Sequence, residues 1–173
     1  MELKNLIQKL NDTLPKHYKA KVGGSIVLNT MGLINRKPED VDIVISHNIN
    51  YQCFIDHAAD FEAVHRAIKE LFPLDEVHQI PFVVYCGQEN PESNQEKYAF
   101  NLKVYNINLW SFGQNIHTLN ILVQKEYVGE DYYSILKLDD IPCVPVRSIL
   151  DAKKSYNRPK DAMDFIEILK VLV

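Results

Sequence analysis

The sequence predicts an α+β fold, one mixed β-sheet flanked by helices. Three observations lead there. The apolar periodicity runs helix, strand, helix, strand, helix, several strands, then two helices. Apolar residues make up 46% of the 173 positions and charged residues 24%, which suits a sizeable core and argues against disorder. No internal repeat, low-complexity tract or clear linker interrupts the order, so residues 1–173 are expected to form a single domain with a C-terminal helix pair from about 147.

Each element has its own signal. Leu3, Leu6, Ile7 and Leu10 fall at helical spacing, predicting a helix over 2–13 that Pro15 ends. A short strand over 17–22 is broken by Gly23-Gly24, and Ser25 is a suitable N-cap for a helix over about 26–34. Residues 41–45 (VDIVI) read as a buried strand. Phe61, Val64, Ile68 and Leu71 line one face of a helix over about 59–71, with Asp60 as its cap. Strands are expected at 80–86, 98–110, 119–123 and 132–138, with a polar loop at 87–97. A short extended piece at 141–146 precedes a helix over 147–155. Asn157-Arg158 interrupts, and Pro159 suits the first position of the last helix, where its missing N–H costs nothing.

Composition removes several function classes. The formal net charge of -4 lacks the basic excess of a nonspecific nucleic-acid binder. Cys53, Cys86 and Cys143 are odd in number and have no CxxC spacing, so neither a disulfide framework nor a zinc site is expected. Residues 1–14 are amphipathic without a signal-peptide core, and no segment reaches the roughly 18 consecutive apolar residues of a membrane span. A cytoplasmic protein without a membrane partner is expected. The six histidines show no HxxxH or HxxE spacing, and no serine sits in a Gly-x-Ser-x-Gly elbow.

Two short motifs carry chemistry. Gly23 and Gly24, between a strand and a helix, let a ligand approach the backbone closely, and N–H groups at a helix start attract phosphate oxygens. The Ser25 hydroxyl can add a bond. Alone, the tripeptide equally suits a tight turn with a serine cap. Asp40-Val41-Asp42 opens the next strand, where residues i and i+2 face the same side. Two converging carboxylates are costly unless a cation neutralises them, and Mg²⁺ takes such oxygens while leaving room for substrate phosphates. Asp-x-Asp alone equally suits a solvated strand start. Together, strand, Gly-Gly-Ser turn, helix, loop and Asp-x-Asp strand would set triphosphate and metal ligands side by side. If the motifs were coincidental in an interaction domain, they would lie apart.

The segment VGGSIVLNTMGLINRKPEDVDIVI (22–45) resembles the signature of the nucleotidyltransferase (DNA polymerase β-like) superfamily. Gly32, Arg36, Asp40 and Asp42 are similar to the form found in its minor, AbiEii-type branch of bacterial toxins and related proteins. A second stretch, AKKSYNRPKDAMDFIEIL (152–169), resembles that branch's C-terminal signature at Lys153, Arg158, Pro159, Lys160, Asp161 and Asp164. The resemblance implies a nucleotidyltransferase-type fold and NTP as substrate. Gly23, Gly24 and Ser25 would hold the triphosphate, and Asp40 and Asp42 would bind Mg²⁺, two ions accompanying the NTP. Lys153 would approach the phosphates. Arg158, Lys160 and Asp161 would brace the last helix, with nucleotide or substrate contact from the basic pair.

The superfamily supplies a third carboxylate from a later strand. Here the equivalent position is Asn120 if the strand is LNILV, and Asn106 or Asn108 if it is VYNINLW; spacing to the C-terminal signature favours Asn120. An amide oxygen can ligate a cation but cannot act as a general base. Glu126, Glu130 and Asp131 are substitutes close in sequence, and they equally suit a solvated turn. Two functions are therefore expected from the resemblance. One is Mg²⁺-dependent transfer of a nucleoside monophosphate to a hydroxyl or phosphate acceptor on RNA (tRNA included), protein or a small molecule. The other is a degenerate member that binds a nucleotide or a protein, an antitoxin being the implied protein partner.

Overall fold

The computed structural model describes residues 2–47, 54–71, 77–79, 98–103, 118–125 and 136–172. Its architecture is α+β. Seven strands are described: β1 (Tyr18–Gly23), β2 (Val41–His47), β3 (Val77–Gln79), β4 (Tyr98–Lys103), β5 (Thr118–Lys125), β6 (Leu136–Leu138) and β7 (Ile141–Cys143). They form one mixed sheet in the order β3-β4-β5-β2-β1-β7-β6. Five helices are described: α1 (Leu3–Thr13), α2 (Ser25–Thr30), α3 (Phe54–Leu71), α4 (Val146–Tyr156) and α5 (Pro159–Leu172). None is long and apolar enough to cross a membrane.

The core follows the periodicity of the chain. Leu3, Leu6, Ile7 and Leu10 of α1 are buried against the same cluster as Val22, Ile43, Ile45, Val64, Ile68, Ile121 and Cys143. Asn11 tightens the docking of α1 by exchanging two bonds with the Ala20 backbone, at 3.2 and 2.7 Å. The strand expected at 80–86, the loop at 87–97 and the outer parts of 98–110 and 132–138 lie outside the described residues, as do Cys53, Cys86, Asn106, Asn108, Glu126, Glu130 and Asp131. Cys143 is a buried free thiol, pushed up to about 11 by burial, which suits an inert core residue.

Several boundaries differ from the sequence expectation for identifiable reasons. The helix after Ser25 stops at Thr30 rather than 34. Gly32 adopts φ +76°, and its N–H and that of Leu33 bond to the carbonyls of Asn29 and Leu28, the double bond of a Schellman stop. The Asp60 position lies inside α3, which already starts at Phe54, and not at its N-cap. The segment 132–143 contains an unforeseen hairpin, in which Leu138 pairs with Ile141 across Asp139-Asp140, both at positive φ as a two-residue type I′ turn demands. The extended piece is shorter than expected, since α4 takes over at Val146. At the far end, Pro159 does open α5. The Asp161 carboxylate accepts from the Arg158 backbone N–H at 3.1 Å, the reciprocal half of a capping box.

Candidate functional site

The site grows from the pairing of β1 with β2. Gly23 lies opposite Asp42 in that antiparallel ladder, so the Gly-Gly-Ser turn and the Asp-x-Asp strand start are neighbours. Gly24 has φ +70° and ψ -159°, a region essentially reserved for glycine. A Cβ there would stand 2.0 Å from Oδ2 of Asp42, so the carboxylate packs directly on the turn. Gly23 is constrained less tightly, by the Val144 and Val44 side chains 3.1 and 3.3 Å from where its Cβ would be. Gly24→Ala is expected to cost about 1–3 kcal/mol for the backbone alone and to displace Asp42. A thermal melt and a Mg²⁺–nucleotide titration check both effects.

Ser25 is not the cap but the first residue of α2; Gly24 occupies the cap position and makes no side-chain cap bond. The hydroxyl has other partners. Arg36 donates to it at 2.7 Å and the Lys153 ammonium at 3.1 Å. Both lone pairs are then taken, which leaves the Ser25 O–H as a donor. Arg36 reaches this point because Asn29 holds the return loop, donating to the carbonyls of Ile34 and Arg36.

Parallel pairing of β2 with β5 sets Asn120 beside Asp42. This is the position expected for the third carboxylate. The Asn120 amide nitrogen donates to Oδ2 of Asp40 and, at 3.4 Å, to Oδ1 of Asp42. Which end of the amide faces the carboxylates is assigned from these bonds. Burial, and then the Asp40 charge beside it, push Asp42 up to about 6. The pair therefore carries repulsion that a proton or a cation relieves. Among the described residues, no group of three His, Cys, Asp or Glu side chains stands together to hold a metal. The metal-donor set is the two carboxylates, because the Asn120 amide turns its N–H groups toward them. Hard oxygens of this kind fit Mg²⁺ if phosphate oxygens complete its shell.

The C-terminal helix pair supplies the positive charge, but not as expected for Lys153. That side chain is 5% exposed, and its three N–H groups meet Ser25, Asp161 and Asp164 at 3.1, 3.2 and 2.9 Å. It ties the turn to Asp161 and Asp164 of α5 rather than reaching into open space. Asp164 also takes both arms of the Arg36 guanidinium at 2.7 Å. Arg158 grips Asp161 through Nε at 2.8 Å and Nη2 at 3.2 Å. Burial alone would raise the Asp161 carboxyl, yet the bonds from Arg158 and Lys153 hold it at about 2. Arg158 and Lys160 are exposed, and each lies within electrostatic reach of Asp42. The result is an acidic floor beside a glycine turn with a basic rim.

Arg36 is the clearest functional residue that sequence reasoning placed in a motif without a role. Its partner Asp164 lies 128 residues away, so no local pattern could pair them. Tyr156, beneath the Arg158 guanidinium, was missed altogether. No family model matches the chain, and no curated protein matches it. Among solved structures, a crystal structure of JHP933 from Helicobacter pylori is similar to it over 86% of this chain and 52% of that one, at 14% identity and a TM-score of 0.37. The chain thus spans about half the length of that structure's chain.

Proposed function

We propose that this protein is a nucleotidyltransferase of the minor, AbiEii-type branch, which binds an NTP with Mg²⁺ at this site and transfers its nucleoside monophosphate to a hydroxyl or phosphate acceptor. The observation that carries the reading is the Asp42 carboxylate lying against Gly24, which sets the glycine turn directly beside a carboxylate pair whose repulsion a cation relieves. Asp40 and Asp42 would hold Mg²⁺, which neutralises charge on the triphosphate and the leaving pyrophosphate. A two-ion arrangement would draw most of its remaining oxygens from the nucleotide. Ser25 donates its O–H to a phosphate oxygen, with Arg36 and Lys153 fixing its orientation. Arg158 and Lys160 supply positive potential at the rim. In the transfer, an acceptor oxygen bonds to the α-phosphorus while the bond to the β-bridging oxygen breaks; pyrophosphate leaves with the electron pair, and the proton of a hydroxyl acceptor passes to solvent. RNA, protein and small molecules remain the candidate acceptors, and an antitoxin the candidate protein partner.

A second reading keeps the binding and drops the transfer. Asn120 favours it, because an amide donating to both aspartates can neither take the acceptor's proton nor add negative charge to the metal site. Calorimetric titration with each NTP, with and without Mg²⁺, beside Asp42→Ala, tests the shared claim. Mg²⁺-dependent binding lost in the variant is expected, and equal binding in the variant sinks both readings. Asn120→Asp separates them. Pyrophosphate release by the native chain supports the transferase, whereas release by the Asp variant alone marks a binding protein.

A further inference from the structure

The α4–α5 connection holds a feature that the phosphate and metal contacts leave unused. Tyr156 is the last residue of α4, and Asn157 turns the chain through φ 48°, ψ 40°, a left-handed conformation that asparagine tolerates. The turn returns Arg158 over the Tyr156 ring, its guanidinium carbon 5.1 Å from the centroid. That distance is a cation–π contact.

The Arg158 guanidinium is not loose. Two of its nitrogens and the backbone N–H of the same residue bond to Asp161, which is 1% exposed and also bound by Lys153. The ring is thus held from one side by an anchored cation, yet Tyr156 is 47% exposed. A large aromatic surface is kept in water beside the site, since the Asp161 that holds Arg158 also binds Lys153, which donates to Ser25. Ring and guanidinium offer planar π-surfaces that stay about half exposed. Such a ledge accepts flat, polarisable groups, and a nucleobase is the flat group carried by a ligand of this site.

Resting on the reading above, we propose that Tyr156, backed by Arg158, stacks the base of the bound nucleoside triphosphate. Stacking accepts any base, so the ledge adds affinity without strong base selectivity. Tyr156 is then a positioning residue that sets the direction in which the nucleoside leaves the triphosphate turn.

The test is calorimetric titration of the full chain with Mg²⁺–ATP and with Mg²⁺–tripolyphosphate, which has the phosphates and no base. Tyr156→Ala is expected to weaken ATP about tenfold and to leave tripolyphosphate unchanged, while Tyr156→Phe keeps both affinities. Equal weakening of both ligands would overturn the proposal, because Tyr156 would then merely hold the turn. Unchanged ATP affinity in Tyr156→Ala overturns the ledge alone, with the phosphate site intact. If the native chain binds neither ligand, the nucleotide reading and the ledge fall together.

Discussion

Replacing Asp164 by alanine is expected to destabilise the protein by about 3–5 kcal/mol and to lower its melting midpoint by on the order of 10 °C. The carboxylate is 1% exposed and accepts from Arg36 twice and from Lys153 once. Its loss leaves three cations, Arg36, Lys153 and Arg158, around the single carboxylate of Asp161. Lys153, 5% exposed, cannot turn to water for compensation. The damage extends beyond stability, because Arg36 and Lys153 both bond the Ser25 hydroxyl. Nucleotide binding measured well below the lowered midpoint should therefore weaken too. Thermal melts of Asp164→Ala beside Glu167→Ala provide the comparison, since Glu167, on the same helix, makes one exposed bond, accepting from the Asn35 backbone N–H. Equal midpoints in the two variants would show that the ion network contributes nothing.

The opposite sign is expected for Asp42. In metal-free solution near pH 8, Asp42→Asn should stabilise the chain by at most about 3 kcal/mol, because the native carboxyl is moved from 3.8 to about 6. An acid whose value is raised on folding favours the folded state only where it is protonated. That contribution is complete below 3.8 and is lost as pH rises through about 6. The Asn variant escapes the loss and keeps an acceptor for the Asn120 amide. Its advantage over the native chain should thus be near zero at pH 4 and should open fully by pH 7.5. Mg²⁺ with nucleotide should reverse the order, stabilising the native chain and not the variant. Asp161 titrates the other way, since its value is held at about 2, so its contribution persists above 3.8 and is lost only as pH falls towards 2. A variant no more stable than the native chain at pH 8 would mean that the pair bears no strain.

Local physics made much of this legible in the sequence. The spacing of Leu3, Leu6, Ile7 and Leu10, the break at Gly23-Gly24 and the placement of Pro159 each depend on a few neighbouring residues. The Asp42–Asn120 pairing was also accessible, because one strand register sets which side chain faces the carboxylates. The stop at Gly32 was less so, since a glycine within a helical pattern signals a Schellman end only when its backbone turns left-handed. Asp139-Asp140 hid its hairpin for a related reason: aspartate adopts positive φ less readily than the asparagine and glycine that advertise such turns. Lys153 shows a different limit. A lysine in a motif announces a charge, but whether it points at a ligand or at Asp161 and Asp164 depends on how α5 docks.

The bond from Arg36 to Asp164 also orders events during synthesis. Gly24, Ser25, Asp40 and Asp42 leave the ribosome early, while the carboxylate that fixes Arg36 follows 128 residues later. At roughly 5–20 residues per second, the half-built pocket waits on the order of ten seconds for its brace. Through most of that interval Ser25 lacks its Lys153 donor, Arg36 lacks the carboxylate that fixes it, and the two aspartates lack their basic rim. The proposed nucleotide site would therefore be completed only once α5 is made, so competence would arrive in one late step rather than growing with chain length.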